Sequence, residues 1–256
     1  SPHSWSNPRF LQKILDLRRT LHGNDRSLSF ANVALSERLS HNPQRFYSSG
    51  RQSFDDIVKL IGDVKAGKHP LFDKKTKFDV FAYSIGAFLS QVLFLNNPND
   101  YFSDSKLFMF CGGSIFNSMC GESRSIMDKK SYEQLFEYYQ TGFWAEKIAV
   151  NTGDEVMASF YSMLTPENER ENRTSSFRQM KDRISGVSLA LDKVIPYHGV
   201  VQALGHDCAS KTITLLDLPY EYTHEAPFPV SKQVDSHEVD ESFLQVFRQA
   251  AGFLKT

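Results

Sequence analysis

The segment Phe78–Leu89 constrains the fold of this chain more than any other part of its 256 residues. It begins with a short apolar and aromatic run, passes through Ala-Tyr-Ser-Ile-Gly, and continues as an apolar helical pattern. This order predicts a strand, a very tight turn and a helix, with Ser84 at the apex of the turn. Such a turn strains the serine backbone, so its neighbours must be small, as Ala82, Gly86 and Ala87 are. The Ser84 hydroxyl would then lie at a helix N-terminus, where backbone N–H groups favour negative charge.

A small-x-Ser-x-Gly pattern is short, and by itself it also suits an ordinary strand-to-helix turn. Two downstream segments favour a nucleophile instead. The strand predicted at 184–191 is followed at once by Asp192, and the strand predicted at 213–218 leads into a loop that carries His224. Ser84 also follows a predicted strand. The three side chains are therefore expected at the carboxyl edge of one parallel sheet, which is where sites assemble in such folds.

Helices and strands alternate along the rest of the chain. We predict helices at 7–21, 53–64, 85–95, 131–150, 157–164 and 239–253, and strands at 27–35, 78–83, 106–111, 184–191 and 213–218. Residues 42–51 and 65–77 are predicted loops, and 166–174 a charged, exposed segment. This alternation indicates an α/β protein with a mostly parallel sheet and helices on both faces.

Composition excludes several function classes. The chain is 41% hydrophobic and 23% charged, as is typical of a globular protein, and its net charge of −1 gives no electrostatic case for nucleic acid. The longest apolar run, 87–95, is far too short for a membrane span. Cys111, Cys120 and Cys208 have no metal-binding spacing and are predicted to be free, buried thiols. No G-x-G-x-x-G or P-loop motif is present, so we expect no nucleotide, metal or other cofactor. No signal peptide is visible, which favours the cytoplasm.

The chain order Ser84, Asp192, His224 and these strand contexts resemble the α/β-hydrolase superfamily. The Asp-Lys-Val-Ile-Pro segment at 192–196 is similar to the family's acid loop, and Thr-His-Glu-Ala-Pro-Phe at 223–228 is similar to its histidine loop. Residues 5–8 and the serine turn resemble an uncharacterised bacterial branch of serine-hydrolase type. The resemblance implies an α/β-hydrolase fold, with a core in 1–116 and 184–256 and a helical cap or lid inserted at 117–183.

The resemblance also implies roles for the site residues. Ser84 would attack an acyl carbonyl, His224 would move the proton, Asp192 would orient the imidazole, and the Ile85 N–H would be one oxyanion donor. The implied activity is cleavage of a small-molecule ester, thioester or amide through an acyl-enzyme. Two alternatives stay open: a catalytically silent hydrolase-like binding protein, and an acyltransferase that uses the same triad.

Other residues compete for each role. Asp217 could be the acid, although it does not match the family's acid-loop pattern. His198, His206 and His237 could each be the base, but their contexts suit capping, packing or the surface. Cys111 lies beside two glycines, yet no nucleophile turn surrounds it, and a buried thiol fits better.

The sequence departs from the family pattern before the serine turn. The family has several strands there, whereas this chain has one predicted strand, 27–35, before that of the turn. Matched backwards, 27–35 is the fourth strand, the first three are missing, and the second oxyanion donor stays unassigned. We therefore expect the chain to be the C-terminal portion of a longer or cleaved protein, whose upstream segment completes the sheet.

Overall fold

The computed structural model describes residues 7–23, 25–143 and 153–255. Its strands are β1 (Val80–Tyr83), β2 (Leu107–Phe110), β3 (Ile184–Leu189) and β4 (Ile213–Leu216). Its α-helices are α1 (Pro8–His22), α2 (Val33–His41), α3 (Arg45–Lys65), α4 (Ile85–Asn96), α5 (Lys129–Glu137), α6 (Glu155–Ser162), α7 (Arg170–Gln179), α8 (Tyr197–Leu204), α9 (His206–Thr212) and α10 (Ser236–Leu254). Short 3₁₀ turns occupy Pro98–Asp100, Phe116–Ser118 and Lys181–Arg183, and a π-helix (Tyr138–Gly142) follows α5.

The strands form one parallel sheet in the order β1-β2-β3-β4. The register places Ala82 opposite Met109, and Met109 opposite Gly186. A Cβ at Gly186 would lie 2.4 Å from the Met109 carbonyl oxygen, so only glycine lets the two central strands approach this closely. The prediction of an α/β protein with a parallel sheet is confirmed.

Helices pack against both faces of the sheet. On one face, Phe108 and Phe110 of β2 form a core with Val187 of β3 and with Val246 and Ala250 of α10. Side chains alternate along a strand, so the remaining residues of β2 point to the opposite face, where α4 packs on β1 and β2. All four residues of β2 are buried, as expected for a strand covered on both sides.

The strand predicted at 27–35 is wrong. These residues form turns and then the start of α2. The side-chain amide of Asn32 explains the difference: its oxygen accepts the N–H of Ser29 (3.0 Å), and its nitrogen donates to the carbonyls of Ser27 (2.7 Å) and Ser123 (2.8 Å). Such side-chain to backbone bonds replace those of a strand. Among the described residues, no strand therefore precedes β1, and matching 27–35 to a fourth strand fails.

One loop prediction and one helix prediction also need correction. Residues 45–51, predicted as loop, belong to α3, which is one helix from Arg45 to Lys65. The helix predicted at 131–150 begins at Lys129 and changes to the π-helix at Tyr138. Residues 144–150 of that prediction lie outside the described residues.

The chain divides into two compact units. The first contains the described residues of Ser1–Gly50 and Cys120–Gly153, and the second those of Arg51–Met119 and Asp154–Thr256. The predicted cap at 117–183 is thus divided between them, since the described residues of 120–153 belong to the first unit, whereas 117–119 and 154–183 belong to the second. In the first unit, buried Arg18 donates to both oxygens of Asp128 (2.7 and 2.8 Å) and to Glu37 (2.9 Å).

In the second unit, the guanidinium of Arg173 on α7 donates hydrogen bonds to several backbone carbonyls. The residue is 1% exposed, so the prediction of an exposed segment at 166–174 fails at this position. The carbonyls that accept from it are those of Ser162, Thr165, Pro166, Asn168, Gln202 and Ala203. Burial, with Arg170 nearby, lowers the pKa of Arg173 to about 10, so the group keeps its charge at neutral pH.

Replacing Arg173 by Met should lower the free energy of unfolding by about 3 kcal/mol, because several buried carbonyls lose their donor at once. Denaturant unfolding followed by circular dichroism measures the change. Arg170→Met is the matched control: it removes an exposed arginine from the same helix and should change stability by less than about 0.5 kcal/mol. Equal stability of the two variants would show that the carbonyls do not depend on Arg173.

Candidate active site

Ser84 lies at the apex of the turn between β1 and α4, as the sequence predicted. Its backbone has φ 54° and ψ −128°, a strained conformation for any residue with a side chain. Two hydrogen bonds hold the turn: the Ser84 N–H donates to the Phe110 carbonyl (3.2 Å), and the Ala87 N–H donates to the Ser84 carbonyl (3.0 Å). The turn is thereby tied both to the neighbouring strand and to the first turn of its own helix.

The crowded neighbour of this turn is Gly112, which sequence reasoning missed. A Cβ at Gly112 would lie 2.5 Å from the Ala87 Cβ and 2.9 Å from the Ser84 carbonyl oxygen. At Gly86, by contrast, a Cβ would meet nothing within 4 Å, so the surrounding space does not require a small residue at that position. Gly112 follows β2 and comes beside the serine only through strand pairing, so no local pattern could have revealed it.

Gly112→Ala should therefore lower the free energy of unfolding by about 2 kcal/mol, since the added methyl group displaces the backbone of the serine turn. Gly86→Ala, which enters open space in the first turn of a helix, should leave stability unchanged or raise it. Denaturant unfolding of both variants measures the difference. A Gly112→Ala variant as stable as Gly86→Ala would contradict this account of the packing.

The structure brings Ser84, His224 and Asp192 into one hydrogen-bonded chain. The Ser84 Oγ lies 2.7 Å from the His224 Nε2, and the His224 Nδ1 lies 2.8 Å from the Asp192 Oδ2. The histidine and aspartate are each 4% exposed, whereas Ser84 is partly exposed. The chain therefore runs from a buried carboxylate to a hydroxyl that solvent can reach.

Hydrogen-bond chemistry fixes the direction of this chain. An ionised carboxylate only accepts, so the Nδ1–H of His224 donates to Asp192. In the neutral ring, Nε2 is then left as an acceptor, and the hydroxyl of Ser84 donates to it. This is the tautomer in which a histidine can remove the serine proton.

The carboxylate of Asp192 is itself held by its own loop. Its Oδ1 accepts the N–H groups of Val194 and Ile195, both at 2.9 Å. These two bonds leave the Oδ2 directed at the histidine. A buried carboxylate needs such partners, because an unpaired one would be strongly destabilising.

The rival acid, Asp217, is held elsewhere. Its Oδ1 accepts a bond from the Tyr222 hydroxyl (3.3 Å), and the same hydroxyl accepts the Leu191 N–H (2.9 Å). Asp217 thus belongs to a contact that links the loop after β4 to the end of β3. The sequence alone could not show which aspartate contacts His224. In the structure, Asp192 makes this contact and Asp217 bonds Tyr222 instead.

The other competing residues lie on helices or inside the core. His198 is on α8, His206 begins α9, and His237 is in the first turn of α10. Cys111 is a buried free thiol whose pKa is raised by burial and by the charge of Asp192, which disfavours the reactive thiolate. Cys120 and Cys208 are also free, but Cys120 is partly exposed rather than buried.

Ile85, the predicted oxyanion donor, is the first residue of α4. The first N–H groups of a helix have no acceptor within that helix, so the Ile85 N–H is placed beside the serine with its hydrogen-bonding capacity unused by the helix. Ile85 is 48% exposed.

A tight turn carries His224. The backbone groups of Thr223 and Ala226 bond to each other in both directions, at 3.4 and 3.2 Å, and so close the turn around the histidine. After the turn, Phe228 stacks on Phe110 of β2 with ring centroids 5.6 Å apart. The histidine loop is therefore anchored on the central strand.

In the described part of the chain, no group of three or more His, Cys, Asp or Glu side chains has the arrangement of a metal site. No helix there is both long enough and apolar enough to cross a membrane.

A family model matches residues 1–255 of the chain, and its description is a family of unknown function (DUF6051). The chain belongs to this family. No curated protein and no solved structure gives a significant match. Because the family description names no activity, the geometry of the site has to carry the functional inference.

Proposed function

We propose that this protein is a serine hydrolase that cleaves an ester, thioester or amide through an acyl-enzyme. The observation that carries the proposal is the chain of bonds from Ser84 to His224 to Asp192, with heavy-atom distances of 2.7 and 2.8 Å. Its members follow β1, β3 and β4, so three separate loops converge on one arrangement. A nucleophile, a base and an acid that orients the base are the parts that acyl transfer needs.

The proposal includes the α/β-hydrolase fold. Three features support it: a parallel sheet with helices on both faces, a strained serine between a strand and a helix, and the order Ser, Asp, His along the chain. The segment 117–183 lies between β2 and β3, a place in the chain where such proteins often carry a cap.

The proposed reaction uses each residue in turn. The Ser84 Oγ attacks the acyl carbonyl while the His224 Nε2 takes its proton, and the Ile85 N–H donates to the oxygen that becomes negative. The imidazolium then gives the proton to the leaving group, and an acyl-serine remains. Water, activated by the same nitrogen, releases the acid and restores the hydroxyl. Asp192 keeps its charge throughout and stabilises the imidazolium.

A fluorophosphonate probe tests the activated serine directly. The purified protein should gain the mass of one adduct, because His224 activates the Ser84 hydroxyl. Ser84→Ala should keep its fold and gain no adduct. Ser90→Ala is the matched control, since this serine lies on α4, which follows Ser84, but its hydroxyl donates to the Gly86 carbonyl (2.8 Å), and its variant should label normally. A folded wild-type protein without an adduct would contradict the proposal and favour a silent, ligand-binding member of the fold.

A pair of aspartate variants tests the assignment of the acid. Asp192→Asn should lower the rate constant of adduct formation by roughly 10⁴-fold, because an amide at this position favours the wrong imidazole tautomer. Asp217→Asn should change it little, since that carboxylate contacts Tyr222 instead. Labelling with the same probe, quenched at successive times and followed by intact mass, gives the rate constant of adduct formation for each variant. The reverse ranking of the two variants would move the acid to Asp217.

A further inference from the structure

Tyr83 links the strand that carries the serine to the loop that carries the histidine. It is the last residue of β1 and immediately precedes Ser84. Its hydroxyl donates to the backbone carbonyl of His224. Its ring also stacks on the imidazole, with centroids 5.6 Å apart and planes inclined by 14°. One side chain thus contacts both the backbone and the ring of the histidine.

Tyr83 also contacts strand β2. The Tyr83 ring packs against Phe110 of β2, with centroids 5.7 Å apart, and Phe110 in turn stacks on Phe228, which follows the histidine turn. Tyr83 is therefore held by the central strand while it holds His224. Tyr83 and Ser84 are consecutive residues, and both contact His224. The Ser84 hydroxyl bonds the His224 Nε2, and the Tyr83 hydroxyl donates to the His224 backbone carbonyl. The end of β1 therefore positions both the serine and the histidine of the proposed first proton transfer.

The chemistry of the phenol suits this role. Burial, with smaller contributions from Cys111, Asp192 and Glu225, raises the pKa of Tyr83 to about 12. The hydroxyl therefore stays protonated at neutral pH and remains a donor to the carbonyl. The face of a phenol ring is electron-rich, so a ring within about 6 Å attracts a cation placed over it. The imidazolium formed during acyl transfer would be such a cation.

We propose that Tyr83 is a positioning residue for His224: its hydroxyl fixes the histidine backbone, and its ring fixes the plane of the imidazole and stabilises the imidazolium. The inference rests on the proposed hydrolase function, since it assigns Tyr83 to the reaction of that same site. Tyr83 acts through the histidine and takes no proton from the substrate.

Two substitutions separate the hydroxyl from the ring. Tyr83→Phe keeps the ring and removes the bond to the carbonyl, so kcat for a p-nitrophenyl ester should fall about tenfold with KM nearly unchanged. Tyr83→Leu removes both contacts, so kcat should fall further, by about a hundredfold relative to the wild type. The rate constant of fluorophosphonate labelling should fall in the same order. A KM effect without a kcat effect would make Tyr83 a substrate contact and overturn the proposal.

Tyr220→Phe is the matched control. The Tyr220 hydroxyl donates to the Pro227 carbonyl (3.4 Å) in the same loop, but the residue does not belong to the bonded chain of the site. This variant loses a hydroxyl-to-carbonyl bond of the same type and should keep the wild-type kcat. If Tyr220→Phe and Tyr83→Phe lose activity equally, the hydroxyls merely stabilise the loop and the proposal fails.

A spectroscopic measurement decides the question without turnover. The proton shared by the His224 Nδ1 and Asp192 should give a far-downfield resonance in the proton NMR spectrum, identified by its absence in Asp192→Ala. Tyr83→Phe should shift and broaden this resonance, whereas Tyr220→Phe should leave it in place. An unchanged resonance in Tyr83→Phe would contradict the positioning role. If wild-type protein formed no fluorophosphonate adduct, the proposed hydrolase function would fail on that result alone, and the resonance would still show whether Tyr83 holds the histidine.

Discussion

The site depends on the close approach of two backbone turns at the carboxyl ends of β1 and β2. Strand pairing places Tyr83 opposite Phe110, so the residues that follow them, Ser84 and Cys111, lie side by side. Both have positive φ, 54° and 46°, and each such residue costs about 1 to 3 kcal/mol. The surrounding packing has to hold both strained residues, and Gly112 makes this possible because its missing side chain leaves room for the serine turn.

The same central strand also organises the histidine side of the site. The Phe110 ring contacts both Tyr83 and Phe228. Phe110 belongs to the core beneath α10, and Phe228 packs against that core. The position of His224 is therefore not a property of its loop alone. It also depends on aromatic packing that stabilises the sheet. A change in the core beneath α10 would therefore shift the imidazole through the rings of Phe110 and Tyr83.

Sequence reasoning succeeded where the signal was local. The strand, turn and helix around Ser84 lie within about a dozen residues, and their pattern is strong enough to define each element. It failed where distant contacts decide. Residues 27–35 avoid a strand in part because the Asn32 side-chain amide donates to the carbonyl of Ser123, 91 positions away in the chain. Gly112 and Tyr83 were missed for the same reason. Gly112 lies against the serine turn only because β1 pairs with β2, and Tyr83 contacts a histidine 141 positions away in the chain.

The burial of the Asp192–His224 pair supports the proposal that the site serves chemistry rather than stability. Taking an ionisable pair out of water costs free energy, and apolar residues of similar size would usually stabilise a core as well or better. Here the pair is nearly inaccessible, with side-chain exposures of 0% for the aspartate and 3% for the histidine. The fold offsets the cost with two backbone N–H groups on the aspartate and, on the histidine, with Ser84 and the Tyr83 contacts. Each of these partners also fixes an orientation that the proposed proton transfer would need, so under the proposed function the polar chain is a pre-arranged path from the carboxylate to the serine hydroxyl.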